Sequence, residues 1–240
     1  MKEINCYHGS PDELKDKFKA LKIKWEMDML KVYIIFYTRY GNTLKLAEII
    51  AQGVRSIKGC EAIFRRTAEL APEEIIRKDE RWKKSRESLK TIPEAKASDL
   101  FDADAVIFGT PTRYGNMSSS LKDFIDKTAG VWVKGGLVGK VGAAFTSSTS
   151  IHGGQETTLL TMFIPMLHHG MIIAGIPYSE EKLFTTTAGG SPYGASSVTG
   201  LMADQPPTEE AEALAKALGK RVAELAMQLK LGDEAMKKEG

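Results

Sequence analysis

Five short apolar runs, separated by stretches of helical periodicity, restrict the folds open to this chain more than any other feature. Val32–Tyr37 is a continuous apolar run, as expected of a strand buried on both faces. Thr43–Ile57 follows with helical periodicity through Leu44, Ala47, Ile50, Ala51 and Val54, and Gly59 ends it. Cys60–Arg65, Ala105–Gly109, Val141–Thr146 and Met171–Ala174 supply the other strands, and Ser118–Lys127 and Gln155–Leu167 the intervening helices. Glu69–Asp99, dense in charge and interrupted by Pro72 and Pro93, reads as a helical excursion over the surface. Pro177–Pro207, rich in Gly, Ser, Thr and Pro, reads as a long loop. Thr208–Leu229 is a closing amphipathic helix, with Thr208 as its cap and Glu209 and Glu210 at its positive end.

Strands that alternate with helices predict an α/β fold: a doubly wound, five-stranded parallel sheet with helices on both faces. Right-handed crossovers leave few layouts, and the order 2-1-3-4-5 is the one expected. The domain would span residues 31–230. Residues 1–30 form an extension with a short surface helix starting at Ser10–Glu13, and residues 231–240 a polar tail.

In such a sheet the ligand crevice lies beyond the carboxyl ends of strands one and three. The pentapeptide TRYGN follows both of them, at Thr38–Asn42 and at Thr112–Asn116. The first copy, extended to Thr43, opens a helix, where backbone N–H groups favour an anion. Thr38 and Thr43 add hydroxyls, and Gly41 allows a tight turn. A phosphate monoester suits this nest without a lysine. The second copy, in PTRYGNM, suits the edge of a planar ring. A third loop, FTSSTSIHGGQETT, follows strand four with hydroxyls, His152 and two glycines, a set able to bond carbonyls and ring nitrogens of a heterocycle. Taken singly, each loop is also compatible with an ordinary capped turn. Neither G-x-x-x-x-G-K-[ST] nor a post-strand G-x-G-x-x-G occurs, so the ATP-type loop and the dinucleotide fingerprint are absent.

Composition removes other classes. A net charge of +2 is too small to indicate a nucleic-acid partner. Two cysteines cannot build a disulfide framework or a four-thiolate cluster, which points to a reducing compartment and excludes an iron–sulfur centre held by this chain alone; no metal site is expected. No secretory signal opens the chain and no window approaches the roughly 18 apolar residues of a membrane span. A soluble cytoplasmic protein is expected.

The loops together resemble flavodoxin-like FMN proteins. GTPTRYGNM, GLVGKVGAAFTS, HGGQETTLL, MLHHGMII and GGSPYGASSVTG closely resemble the WrbA-type NAD(P)H:quinone oxidoreductases across residues 31–229. The resemblance implies non-covalent FMN, a homotetramer, and two-electron reduction of quinones by NADH or NADPH in a ping-pong cycle through flavin N5. Matched by position, Thr38, Arg39, Tyr40, Gly41, Asn42 and Thr43 would bind the phosphate. Pro111, Thr112, Arg113, Tyr114, Gly115 and Asn116, with Ser147, Ser148, Thr149, Ser150, Ile151 and His152, would line the ribityl chain and ring. His168 would approach the flavin across a subunit boundary as the catalytic group. Trp132 would lie beside the substrate, and Tyr40 would meet the nicotinamide. His168 is also explained as a charge at a helix's negative end, Trp132 as a packing anchor, and Arg39 and Arg113 as solvated charges or contacts to NAD(P)H phosphates. A one-electron FMN carrier of the flavodoxin kind is the rival function. The segment DERWKKSRES is unusually charged for the family.

Overall fold

The computed structural model describes residues 29–239, so the expected helix at Ser10–Glu13 lies outside the described residues. The strands are β1 (Leu30–Phe36), β2 (Cys60–Arg66), β3 (Ala105–Pro111), β4 (Val141–Ser148), β5 (Ile172–Ile173) and β6 (Ala195–Val198). They form one sheet in the order β2-β1-β3-β4-β5, with every pair parallel and β6 also against β4. The helices are α1 (Asn42–Arg55), α2 (Glu73–Ile76), α3 (Glu80–Ser88), α4 (Asp99–Asp102) and α5 (Ser119–Asp126), then α6 (Ala129–Val133), α7 (Gln155–His168), α8 (Lys182–Thr185) and α9 (Glu209–Glu239).

The apolar run of β1 serves two cores at once. Val32, Ile34 and Phe36 pack with Leu46, Ile50 and Val54 of α1 and Leu214, Leu218 and Val222 of α9. Tyr33 and Ile35 point the other way, to Leu121 and Phe124 of α5 and Leu159 and Met162 of α7. Period-2 alternation, with both faces covered, gives β1 its unbroken hydrophobicity. Each fully buried side chain of this size contributes roughly 1.5–3 kcal/mol. Helices α1 and α9 cross at reciprocal glycines. A Cβ on Gly53 would stand 2.0 Å from the Lys216 carbonyl oxygen, and one on Gly219 would stand 2.0 Å from that of Ile50.

Two expectations need correction. Pro177–Pro207 is not only loop: it contains α8 and β6. The two-residue β5 pairs the start of β4 at Val141–Gly142, and β6 pairs its end at Phe145–Ser148, so the sheet edge is built from two separated pieces. The sequence Ala-Ser-Ser-Val carries little strand preference, and it becomes a strand because β4 offers an unpaired edge there. The closing helix also runs past Leu229 to Glu239, so the residues taken as a polar tail continue it. Alanine, methionine, lysine and glutamate in that stretch are good helix formers. The charged excursion is helical as expected, in α2 and α3.

Candidate functional site

The carboxyl ends of β1, β3 and β4 open into one cavity of about 420 Å³. The first loop contributes Thr38, Arg39, Tyr40, Asn42 and Thr43, the second Pro111–Tyr114, and the third Ser147–Thr149. Gly41 and Gly115 shape these loops without lining the cavity. Ser147 and Ser148 prove to be the last residues of β4, each 4% exposed, so the third wall starts on a rigid strand.

The two TRYGN copies share one device and then diverge. In each, the threonine hydroxyl accepts a hydrogen bond from the glycine N–H: Gly41 to Thr38 at 3.0 Å and Gly115 to Thr112 at 3.2 Å. In the first copy Gly41, at φ 89°, then serves as N-cap of α1 and brings no side-chain cap. The first N–H groups of α1 are left without an intrahelical partner beside the buried Thr38 and Thr43 hydroxyls. In the second copy the chain reverses at once. Arg113 and Asn116 exchange backbone bonds of 2.8 and 3.0 Å, with φ positive at both Tyr114 (53°) and Gly115 (76°). Positive φ at both central residues is the requirement of a type I′ turn. The first copy therefore leaves amides open at a helix start, and the second is a rigid corner that leaves the Tyr114 ring in solvent.

The walls are tied to one another. The Thr43 and Ser147 hydroxyls lie 3.2 Å apart, joining α1 to β4. The Thr158 hydroxyl of α7 lies 2.8 Å from the Thr112 hydroxyl, joining α7 to the second loop. Asn42 donates its side-chain amide to the Ala203 carbonyl at 2.8 Å, closing the loop after β6 over the cavity. Gly153, one of the two glycines of the third loop, also lines the cavity, whereas Thr199 and Ala203 line it without having been singled out in the sequence. Thr199 is anchored by its N–H on the Ser148 carbonyl at 2.7 Å. Only the general Gly/Ser/Thr richness of that loop signalled it.

The charged excursion grips the first loop from outside. The guanidinium of Arg39 lies 4.0 Å over the Trp82 ring and 3.5 Å from the Asp79 carboxylate, and its Nε is buried with no hydrogen-bond partner among the described residues. The Tyr40 hydroxyl donates to Asp79 at 2.7 Å. That bond first, and the Trp82 N–H second, hold the Asp79 carboxyl below its ordinary range. Trp82 donates its indole N–H to Glu69 at 3.0 Å, and the same carboxylate accepts the Tyr37 hydroxyl. Burial first, and the Glu69 charge second, push Tyr37 up, so it stays a neutral donor.

The remaining sequence-predicted residues lie elsewhere. Ser150, Ile151 and His152 form the exposed crest of the third loop, outside the cavity lining. His168 and Trp132 come together, but in a second, open cleft with Asn116 and Met117. There the Trp132 indole N–H donates to the His168 carbonyl at 2.9 Å. Within one protomer His168 is therefore not part of the first cavity's wall.

A cavity at the switch point of a 2-1-3-4-5 sheet, with an uncapped helix start on its floor, defines a flavodoxin-like protein. The same fold occurs in a WrbA-like flavodoxin from Agrobacterium tumefaciens, with TM-score 0.58 and 22% identity, covering 83% of this chain and 98% of that one. Residues 36–180 match the family described as NADPH-dependent FMN reductase. The chain is 44% identical over 208 residues to an NAD(P)H dehydrogenase (quinone) of Aromatoleum aromaticum, covering 86% of this chain and 100% of that protein. It is 45% identical over 203 residues to a protein of the same name from Trichlorobacter lovleyi, covering 84% and 99%. The chain belongs to the NADPH-dependent FMN reductase family: it is an NAD(P)H-dependent flavoprotein oxidoreductase with FMN as cofactor. Among the described residues, no helix is long and apolar enough to cross a membrane.

Proposed function

We propose that this protein reduces quinones to hydroquinones, taking two electrons per turnover from NADH or NADPH, with donor and quinone using the site in turn. The observation that carries the reading is the uncapped start of α1, opening into a cavity bounded by three polar loops. That floor suits a phosphate monoester, because free N–H groups and two buried threonine hydroxyls lie there, with Arg39 on the cavity lining. When bound, FMN supplies hydride exchange with the nicotinamide and with the quinone.

The chain's own part is to bind, orient and exclude water. Residues 38–43 hold the phosphate. The corner at Pro111–Asn116 and the strand end at Ser147–Thr149 hold the ribityl chain and one edge of the ring, with residues 150–152 closing over it. Tyr40 and Trp132 border the incoming donor and quinone. His168 donates a hydrogen bond to the quinone oxygen from a neighbouring protomer. Ile164 and Leu167, both 57% exposed, with Trp132 at 56% and Val133 at 75%, give α6 and α7 an apolar face suited to a second copy, consistent with a homotetramer. The names borne by the relatives support the quinone as acceptor.

The test is direct. FMN-loaded protein should oxidise NADH or NADPH in the presence of benzoquinone, forming one hydroquinone per nicotinamide, with parallel double-reciprocal plots. Absence of quinone-dependent turnover would remove the reading.

A further inference from the structure

Gln155, in the HGGQETT stretch, is 3% exposed at the first position of α7 and takes no part in the cavity wall. Its Nε2 donates to the Ser150 carbonyl at 3.2 Å. The Ser148 hydroxyl donates to the same oxygen at 2.7 Å, and the Gly153 N–H at 3.1 Å. Three donors fill the accepting capacity of one carbonyl. They tie the end of β4, the turn and the start of α7 to a single atom, although Ser150 itself lies on the exposed crest. The fastening leaves no slack. A Cβ on Gly153 would stand 2.9 Å from the Ser150 carbonyl oxygen, and one on Gly154 would stand 2.7 Å from Gly115 Cα, where the third loop rests on the second.

Two observations separate this clamp from ordinary packing at a helix start. Gln155 Oε1 is buried with no hydrogen-bond partner among the described residues. An unpaired buried acceptor lowers stability, and an apolar side chain of the same length would avoid that loss. The opposite amide orientation gives no relief, because it would set Oε1 against the Ser150 carbonyl oxygen. The second observation lies on the loop. The backbone N–H groups of Thr149, Ser150, Ile151 and His152 have no hydrogen-bond partner among the described residues. Pinning the Ser150 carbonyl fixes the direction of these four donors at the edge of the cavity, which Thr149 and Gly153 line. Successive free N–H groups in a turn suit an oxygen that carries negative charge.

We propose that Gln155 is a positioning residue for the cofactor. It touches neither FMN nor substrate. It sets the third loop so that the free N–H groups meet FMN oxygens, and it thereby favours reduced FMN, which carries more negative charge there, over oxidised FMN. This rests on the placement of FMN proposed above, and it deepens the reading of that site by naming a residue that tunes it from behind the wall.

The test compares Gln155→Met, which keeps the length and removes both the donor and the unpaired acceptor, with Gln155→Glu. Urea unfolding of the FMN-free protein should show Gln155→Met at least as stable as the wild type. Quenching of FMN fluorescence on titration should show its affinity lowered about two- to tenfold, the range of one hydrogen bond. The two-electron potential of the bound flavin should fall, by about 30 mV if reduced FMN loses about tenfold more affinity than oxidised FMN. Gln155→Glu donates only when its carboxyl is protonated, so its FMN affinity should recover toward the wild-type value as pH falls from 8 to 5, and that of Gln155→Met should not. Unchanged affinity and potential in Gln155→Met would overturn the assignment, as would parallel pH profiles of the two variants. So would a loss of stability large enough to explain the weaker binding, because Gln155 would then be a structural residue. Each of these leaves the oxidoreductase reading in place. Wild-type protein that bound no FMN would sink both. The expected changes in affinity and potential without quinone turnover would support the positioning role and sink the quinone reading instead.

Discussion

Trp82 is the side chain through which the charged excursion reaches the cavity beyond β1, β3 and β4, and its replacement separates stability from function. The indole is 4% exposed, carries the Arg39 guanidinium 4.0 Å over its face, and donates to Glu69 at 3.0 Å. Truncation of a fully buried Trp to Ala costs about 3–5 kcal/mol when the surroundings stay in place. Here the loss is smaller, about 2–3 kcal/mol, because the short α3 can detach locally and leave the sheet intact. Trp82→Phe keeps an aromatic face under Arg39 and loses only the N–H to Glu69, about 1–2 kcal/mol. Binding should divide the two variants differently. An aromatic face steadies a guanidinium by about 0.5–2 kcal/mol. At 1.4 kcal/mol per tenfold, its loss weakens FMN binding about two- to thirtyfold in Trp82→Ala and hardly at all in Trp82→Phe. Urea unfolding of the FMN-free protein measures the first quantity, and quenching of FMN fluorescence on titration measures the second. If Trp82→Ala lost stability yet bound FMN as tightly as the wild type, the excursion would not be positioning Arg39 and the reasoning would fail.

The same geometry sets three further outcomes. Gly41→Ala should cost about 1–2 kcal/mol in chemical unfolding and weaken FMN, because φ 89° strains any L side chain; the nearest atom to the new Cβ is Ser85 Oγ at 3.9 Å, so a steric clash is not the cause. Gly53→Ala should lower stability by about 1–3 kcal/mol, since its Cβ would meet the Lys216 carbonyl at 2.0 Å and force α1 and α9 apart; an unchanged urea midpoint would mean that the crossing is loose. Stability should also fall as pH drops below the ordinary histidine range, through His169. Burial first, and neighbouring His168 second, hold its pKa below 6.5. Thr128 donates its one hydroxyl proton to the Ile125 carbonyl at 2.7 Å, so at 2.8 Å it accepts from His169 Nε2, and Nδ1, which has no partner among the described residues, is the atom that would be protonated. The unfolded chain binds that proton more readily, so this contribution is full above 6.5 and lost as pH falls toward the depressed folded value. His169→Gln should flatten the slope of unfolding free energy between pH 7.5 and 5; an unaltered slope would assign it to other groups.

The sequence carried the sheet because strands buried on both faces write themselves as unbroken apolar runs, and β1 through Val32–Phe36 is such a run. It carried the three loops because they fall after successive strands, where winding places a ligand whatever the loop contains. It did not carry β6, whose two serines have no strand preference and which exists only by pairing with β4. Nor did it carry Thr199 and Ala203, which reach the cavity from a loop far along the chain without a motif. TRYGN is the sharpest case. Identical residues keep the same threonine-to-glycine bond in both places, yet one copy starts α1 and the other turns a corner. The surroundings of each copy make the choice: Asn42 is clasped by the Ala203 carbonyl as α1 begins, whereas Asn116 pairs back on Arg113.

From the sequence alone came the α/β alternation, the strand order, and the identity of the three loops around the crevice, because periodicity and turn chemistry are local and survive in one dimension. Tertiary structure decided what local pattern cannot encode: that the DERWKKSRES excursion packs Trp82 and Asp79 against Arg39 and Tyr40, and that His168 faces a different cleft from the first cavity. Those relations join residues distant in sequence, and they are set by which surfaces the folded sheet leaves within reach of one another.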